Sequence, residues 1–224
     1  MEVSMTDENI IENGRRLFQS AENLRRSAVD LDAMMESLWE SIEKKEFFGE
    51  IIDLGDEDAG GVGEWVASAY AFNAGIVSHP KRSPGQRGPS KKPKQVGTIS
   101  IITRLCNSDD FDGETPNWPW LNQACLILGW HPKENPEDHW EIENFIPSDE
   151  SRACIVHLGH GLWSWRDEEG EGDYAFFFLL PIFALSSETN LKDFAMRPLK
   201  NLFDAQDPWF VAKEVLQDVP VLLP

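Results

Sequence analysis

The feature that most constrains this chain is a proline-free stretch, residues 6–45, that carries one unbroken heptad pattern. Ile10, Leu17, Leu24, Leu31 and Leu38 recur every seven residues, and Gly14, Ala21, Ala28, Met35 and Ile42 stand four further on. Apolar residues alternately four and three apart fall on one stripe of an α-helix, and a stripe sustained this long is the pattern of a coiled coil. Thr6, followed by Asp7 and Glu8, suits a helix cap with an acidic first turn, and Lys44 and Lys45 suit the negative end of the helix dipole. At 1.5 Å per residue such a helix runs about 60 Å, so part of it is expected to project.

The a positions of the heptad begin small, with Gly14, Ala21 and Ala28 flanked by Ser20 and Ser27, which permits a close approach of another helix. Met34, Met35, Trp39 and Ile42 widen the stripe further along. The reading is a helix that meets a partner helix near its N-terminal half, in a homo-oligomer, and packs on its own domain near its C-terminal half. The plainer alternative lays the whole stripe on the chain's own C-terminal helices.

After the helix, residues 53–63 are acidic and glycine-rich and read as a flexible connector and domain boundary. Residues 64–77 and 95–106 read as strands, the second through Val96, Thr98, Ile99, Ile101, Ile102 and Thr103. Further short strands are expected at 124–130, 140–146, 152–157, 162–165 and 174–185, with 167–173 as a solvated hairpin loop. Helical segments follow at 188–201, interrupted near Pro198, and at 208–218, where Pro208 suits a helix start and Pro220 its stop. The expected fold is therefore α+β. A long coiled-coil-like N-terminal helix (1–48) precedes a mainly antiparallel sheet domain with C-terminal helices (49–224).

Charge narrows the function. Twenty Lys and Arg against 39 Asp and Glu give −19, a field that repels nucleic acid and draws cationic surfaces. The exception is residues 78–95, which hold Pro80, Pro84, Pro89 and Pro93, no hydrophobic residue, and Lys81, Arg82, Arg87, Lys91, Lys92 and Lys94 with no acidic residue. Those six cations leave 14 against 39 elsewhere, a charge of −25. This segment is expected to be a disordered basic loop, since it has too little apolar surface to order itself. It lacks the aromatic residues that would stack a base.

Met1 to Glu8 offer no basic and apolar leader, so no secretory signal is expected. The longest apolar run, 174–185, has twelve residues and contains Pro181, too short to span a membrane. Cys106, Cys125 and Cys154 form neither a CxxC pair nor an even disulfide set, which fits a reducing cytoplasm. Phosphate-loop, dinucleotide, serine-hydrolase and zinc-protease motifs are absent, and no cofactor or metal is implied.

Three functions fit these residues. The first is an acidic interaction module, such as an inhibitor, immunity factor or nucleic-acid mimic, that binds a protein partner with a basic surface. Its interface would use Leu17, Leu24 and Leu31 on the helix, Trp140 and Trp165 as aromatic anchors, and Asp167, Glu168 and Glu169 as steering charges. The second is a hydrolytic enzyme. It would use Cys154, His157 and His160, converging if Gly159 bends the chain, or the pair Glu141 and Glu143 on one face of a strand, where each raises the other's pKa. The third is a structural subunit assembled through the helix.

Overall fold

The computed structural model describes residues 7–44, 46–62, 66–79, 92–106, 116–131, 139–166 and 175–224. The chain divides into two compact units, Met1–Glu40 and Ser41–Pro224. The first is helical: α1 runs without a break over Asp7–Glu43, ending in the first residues of the second unit. The proline-free heptads predict this continuity, while the cap expected at Thr6 and the cation at Lys45 fall outside the described residues. Arg16 bonds Glu12 at 3.1 Å, and Glu22 accepts from Arg25 at 2.7 Å and lies 3.5 Å from Arg26. The hydrogen bond from Arg25 holds the Glu22 carboxyl below its ordinary range. These are same-face pairs one turn apart, and they support the helix only modestly in water.

The second unit is built on seven strands: β1 (Glu50–Val62), β2 (Val66–Ser78), β3 (Lys94–Arg104), β4 (Cys125–His131), β5 (Ile155–Gly159), β6 (Leu162–Trp165) and β7 (Ala175–Pro181). They form one sheet in the order β1-β2-β3-β4-β7-β6-β5, with every neighbouring pair antiparallel. The first four strands pair in chain order. The last three form a second meander that docks in reverse, so the connection from β4 to β5 must cross the sheet. The basic segment joins β2 to β3, whose ends pair Ser78 with Lys94. Its residues 80–91, with Lys81, Arg82, Arg87 and Lys91, lie outside the described residues, and so does the expected loop 167–173.

Of the expected connector 53–63, residues 53–62 belong to β1, the edge strand, and Gly63 lies outside the described residues. Their composition is that of a protected edge, where charge and a bulge discourage pairing with another sheet. The register slips between Asp53 and Gly55, where Gly55 adopts φ 103° and donates its N–H to Asp53 Oδ1 at 2.9 Å.

Side chains alternate across a strand, so the register assigns each to a face. Ala69, Ala71, Ile102, Cys125, Ile127, Phe177, Leu179, Trp163 and Ile155 share one face, which is covered by Trp118, Trp120, Trp140, Ile142 and Phe145 from the connections. Trp120 sits at the centre, edge-on to Phe145, Trp163 and Phe177, and donates its indole N–H to the Phe145 carbonyl at 3.0 Å. The other face carries Ile99, Ile101, Leu126, Leu128, Trp130, Phe178 and Leu180, all buried. Helix α4 (Arg197–Asp204) packs on it, and Phe203 sits where a Gly97 side chain would otherwise stand.

The crossing connection departs from expectation. Residues 140–146 are not a strand: Ile142–Phe145 is a 3₁₀ turn. Residues 152–154 are not strand either but end helix α2 (Asp149–Cys154), which begins with a capping box. Ser148 Oγ accepts from the Ser151 N–H at 3.0 Å, and Ser151 Oγ accepts from the Ser148 N–H at 2.7 Å. The mutual serine caps outweigh the apolar alternation that suggested strands. The expected interruption near Pro198 takes the form of a π-helical stretch, Leu191–Met196, between α3 (Glu188–Asn190) and α4. Proline has no N–H to continue the ordinary ladder, and Arg197 instead donates to the Lys192 carbonyl five residues back. Helix α5 (Pro208–Val215) starts at Pro208 as read.

Candidate interaction surfaces

The residues proposed for catalysis lie on α2, on β5, in the turn after β5 and around the 3₁₀ turn of the crossing connection. His157 lies in β5 opposite Trp163, ring centroids 4.7 Å apart. Burial, aided by the charge of nearby His160, keeps its pKa below the ordinary histidine value. Gly159, His160 and Gly161 have φ of 102°, 54° and 81°, and Gly159 pairs with Leu162 across a two-residue loop. Positive φ at both loop residues, His160 and Gly161, is the signature of the tight β-hairpin turn that matches sheet twist. His160 is thus an exposed turn residue, and Cys154 is buried at the end of α2 with its carbonyl accepting the Arg166 N–H at 3.1 Å. Among the described residues no group of three His, Cys, Asp or Glu side chains could hold a metal ion.

The Glu141 and Glu143 pairing required a strand, and the 3₁₀ turn removes that geometry. Glu141 is exposed and its N–H donates to Asn144 Oδ1 at 2.8 Å. Trp140 is 1% exposed, so it is a core residue and not an available anchor. Its ring packs against His131, Phe145, Trp165 and Phe177, and lies directly over Gly129. Its N–H donates to Ser100 Oγ at 3.1 Å, and that hydroxyl donates to Asn73 Oδ1 at 2.5 Å. Two residues on, the Ile142 N–H donates to Glu57 Oε2 at 3.2 Å. This buried polar seam fastens the crossing connection to β1, β2 and β3. Trp165 is half-buried against Trp140, while Asp167, Glu168 and Glu169 lie outside the described residues.

What remains for a partner is surface. In α1, Leu17 and Phe18 are each 73% exposed and Val29 is 59% exposed, whereas Leu31 and Met35 are intermediate and Leu38 and Ile42 are fully buried. An apolar stripe that stays wet along one half of a helix is unusual for a finished surface. At the sheet edge, β1 presents Glu50, Asp53, Asp56, Glu57 and Asp58 with no basic residue in thirteen positions. Glu50, Asp53, Asp56 and Asp58 are exposed. Glu50 pairs with His79 at 2.6 Å. The sequence reading missed both this edge and Phe18. It also missed Trp209 and Phe210, which stand 55% and 74% exposed at the start of α5 with their rings 5.3 Å apart. The acidic edge was legible as a charge run, but only strand pairing makes it an edge.

No family model, curated protein or solved structure matches the chain. No helix among the described residues is long and apolar enough to cross a membrane.

Proposed function

We propose that this chain is an acidic protein-interaction module that docks on a basic surface of a protein partner through the β1 edge. The observation that carries the reading is that the terminal strand of the sheet bears five carboxylates and no cation. An edge strand offers a row of backbone groups to an incoming chain, and its charge selects which chain can approach. The −19 of the whole molecule adds long-range attraction for cations and repulsion of nucleic acid. Three cysteines, an odd number at wide spacing with no CxxC pair, support a reducing, cytoplasmic setting.

The test is affinity capture from the native source with the full chain, side by side with the triple variant Asp53→Asn, Asp56→Asn, Asp58→Asn. These exposed, nearly isosteric changes remove three charges from the edge. A partner with a basic surface should be held by the parent chain, lost with the variant and released as salt rises toward about 1 M, where screening acts within about 3 Å. Equal capture by parent and variant, or equal retention at low and high salt, would refute the proposal.

A further inference from the structure

We infer that α1 pairs antiparallel with α1 of a second copy of this chain, centred between residues 22 and 23. This goes beyond the β1 proposal and uses a different surface. The starting point is exposure: Leu17 and Phe18, each 73% exposed, lie in a helix whose neighbouring positions 12–21 and 25–30 are all solvent-facing.

Charge argues for a second copy over the basic partner that the rest of the molecule suits. Residues 10–35 contain Arg15, Arg16, Arg25 and Arg26 against Glu12, Glu22, Asp30 and Asp32, a net of zero. The whole −19 therefore lies outside this segment. A helix meant to engage a cation would share the acidity of the body. A segment meant to meet its own copy has to be free of it, and residues 10–35 are.

The side chains also complement themselves when one helix is reversed. Large residues occupy one seam position (Leu17, Leu31) and small ones the other (Gly14, Ala28). Reversal sets each seam position against the opposite one. Leu17 then faces Ala28, and Gly14 faces Leu31, on either side of the centre, so each of these inner layers holds one large and one small residue. A parallel pair would stack small on small and large on large, leaving voids that dry interfaces disfavour. The same reversal brings Phe18 beside Arg25 of the other copy, an aromatic face next to a guanidinium stem. Self-complementarity about a two-fold axis is what an isologous interface demands and what a foreign partner would not require.

The experiment uses the full chain with Cys106→Ser, which removes the exposed native thiol. Sedimentation should give twice the 25.4 kDa chain mass. Leu17→Asp should return it to the single mass with unchanged circular dichroism, raising the dissociation constant by at least about 100-fold, because two carboxylates would enter an apolar seam. Since the pairing segment is neutral and the bodies repel, dimerisation should strengthen with salt, opposite in sign to the β1 association. Under mild oxidation, Leu17→Cys mixed with Ala28→Cys should give a disulfide-linked heterodimer, and Leu17→Cys alone should give none. A linked Leu17→Cys homodimer would overturn the antiparallel arrangement. A monomer at all salt concentrations would overturn the pairing itself, and it would leave the β1 proposal standing if partner capture persists.

Discussion

Gly129→Ala should destabilise the sheet domain by about 1–3 kcal/mol, the usual range for overpacking a filled core. A Cβ built on Gly129 would lie 2.5 Å from Nε1 and 2.6 Å from Cδ1 of Trp140, where ordinary contact is about 3.5–4 Å. The indole would need to retreat by about 1 Å. It has little room, since rings at 5.0 to 5.7 Å centroid separation surround it: His131, Phe145, Trp165 and Phe177. Trp140→Ala alone removes the indole and leaves a cavity, at about 3–5 kcal/mol. With the indole gone the clash is gone, and Gly129→Ala then costs little or even helps, because alanine loses less backbone freedom than glycine in a strand. The double-mutant cycle should therefore show a coupling of about 1–3 kcal/mol. Urea unfolding followed by far-ultraviolet circular dichroism measures it without relying on the altered fluorophore. Additivity within about 0.5 kcal/mol would refute the placement of Trp140 over β4 and reopen it as a surface anchor.

Three further outcomes follow from the same structure. Gly161→Ala should destabilise by about 1–3 kcal/mol, because φ is 81° and the new Cβ would run into Val221, while His160→Gly should be neutral or stabilising in the same melts. For His157, the folded pKa lies below the ordinary 6.5, so the unfolded chain takes the proton first as pH falls. Its contribution to stability is full above the unfolded value, is lost as pH drops through it, and levels off below the folded one. His157→Phe, which keeps a ring on Trp163, should flatten the difference in urea midpoint between about pH 7.5 and 5. Finally, burial pushes the Cys125 thiol up to about 12 against the opposing charge of Arg104, and Cys154 is also buried. A thiol reagent should therefore modify Cys106 at once and the other two only on unfolding; rapid labelling of Cys125 in the native protein would contradict its burial.

The sequence by itself determined elements whose signal is local and repeated. The long helix followed from heptads without proline, and β3 from a run of β-branched residues. Helix α5 followed from Pro208, and the separate basic segment and the −19 field from counting charges. Where local signals were short or shared by two states, tertiary context decided. Residues 140–146 alternate like a strand, yet they cross a sheet already complete at β4 and β7, and hydrogen bonds from Trp140 to Ser100 and from Ile142 to Glu57 hold them as a cover. Residues 53–63 have linker composition, yet eleven backbone pairings along β2, from Glu50 to Val62, make residues 53–62 part of an edge strand. His160 stood as a catalytic candidate beside Cys154 and His157, whereas strand register places it at a loop tip. Which tryptophans are core and which are exposed, Trp140 against Trp209, was equally beyond reach of the sequence. The physical reason is common to all of these. Burial and pairing depend on residues far apart in the chain, and nothing in a short window reports which of them will meet.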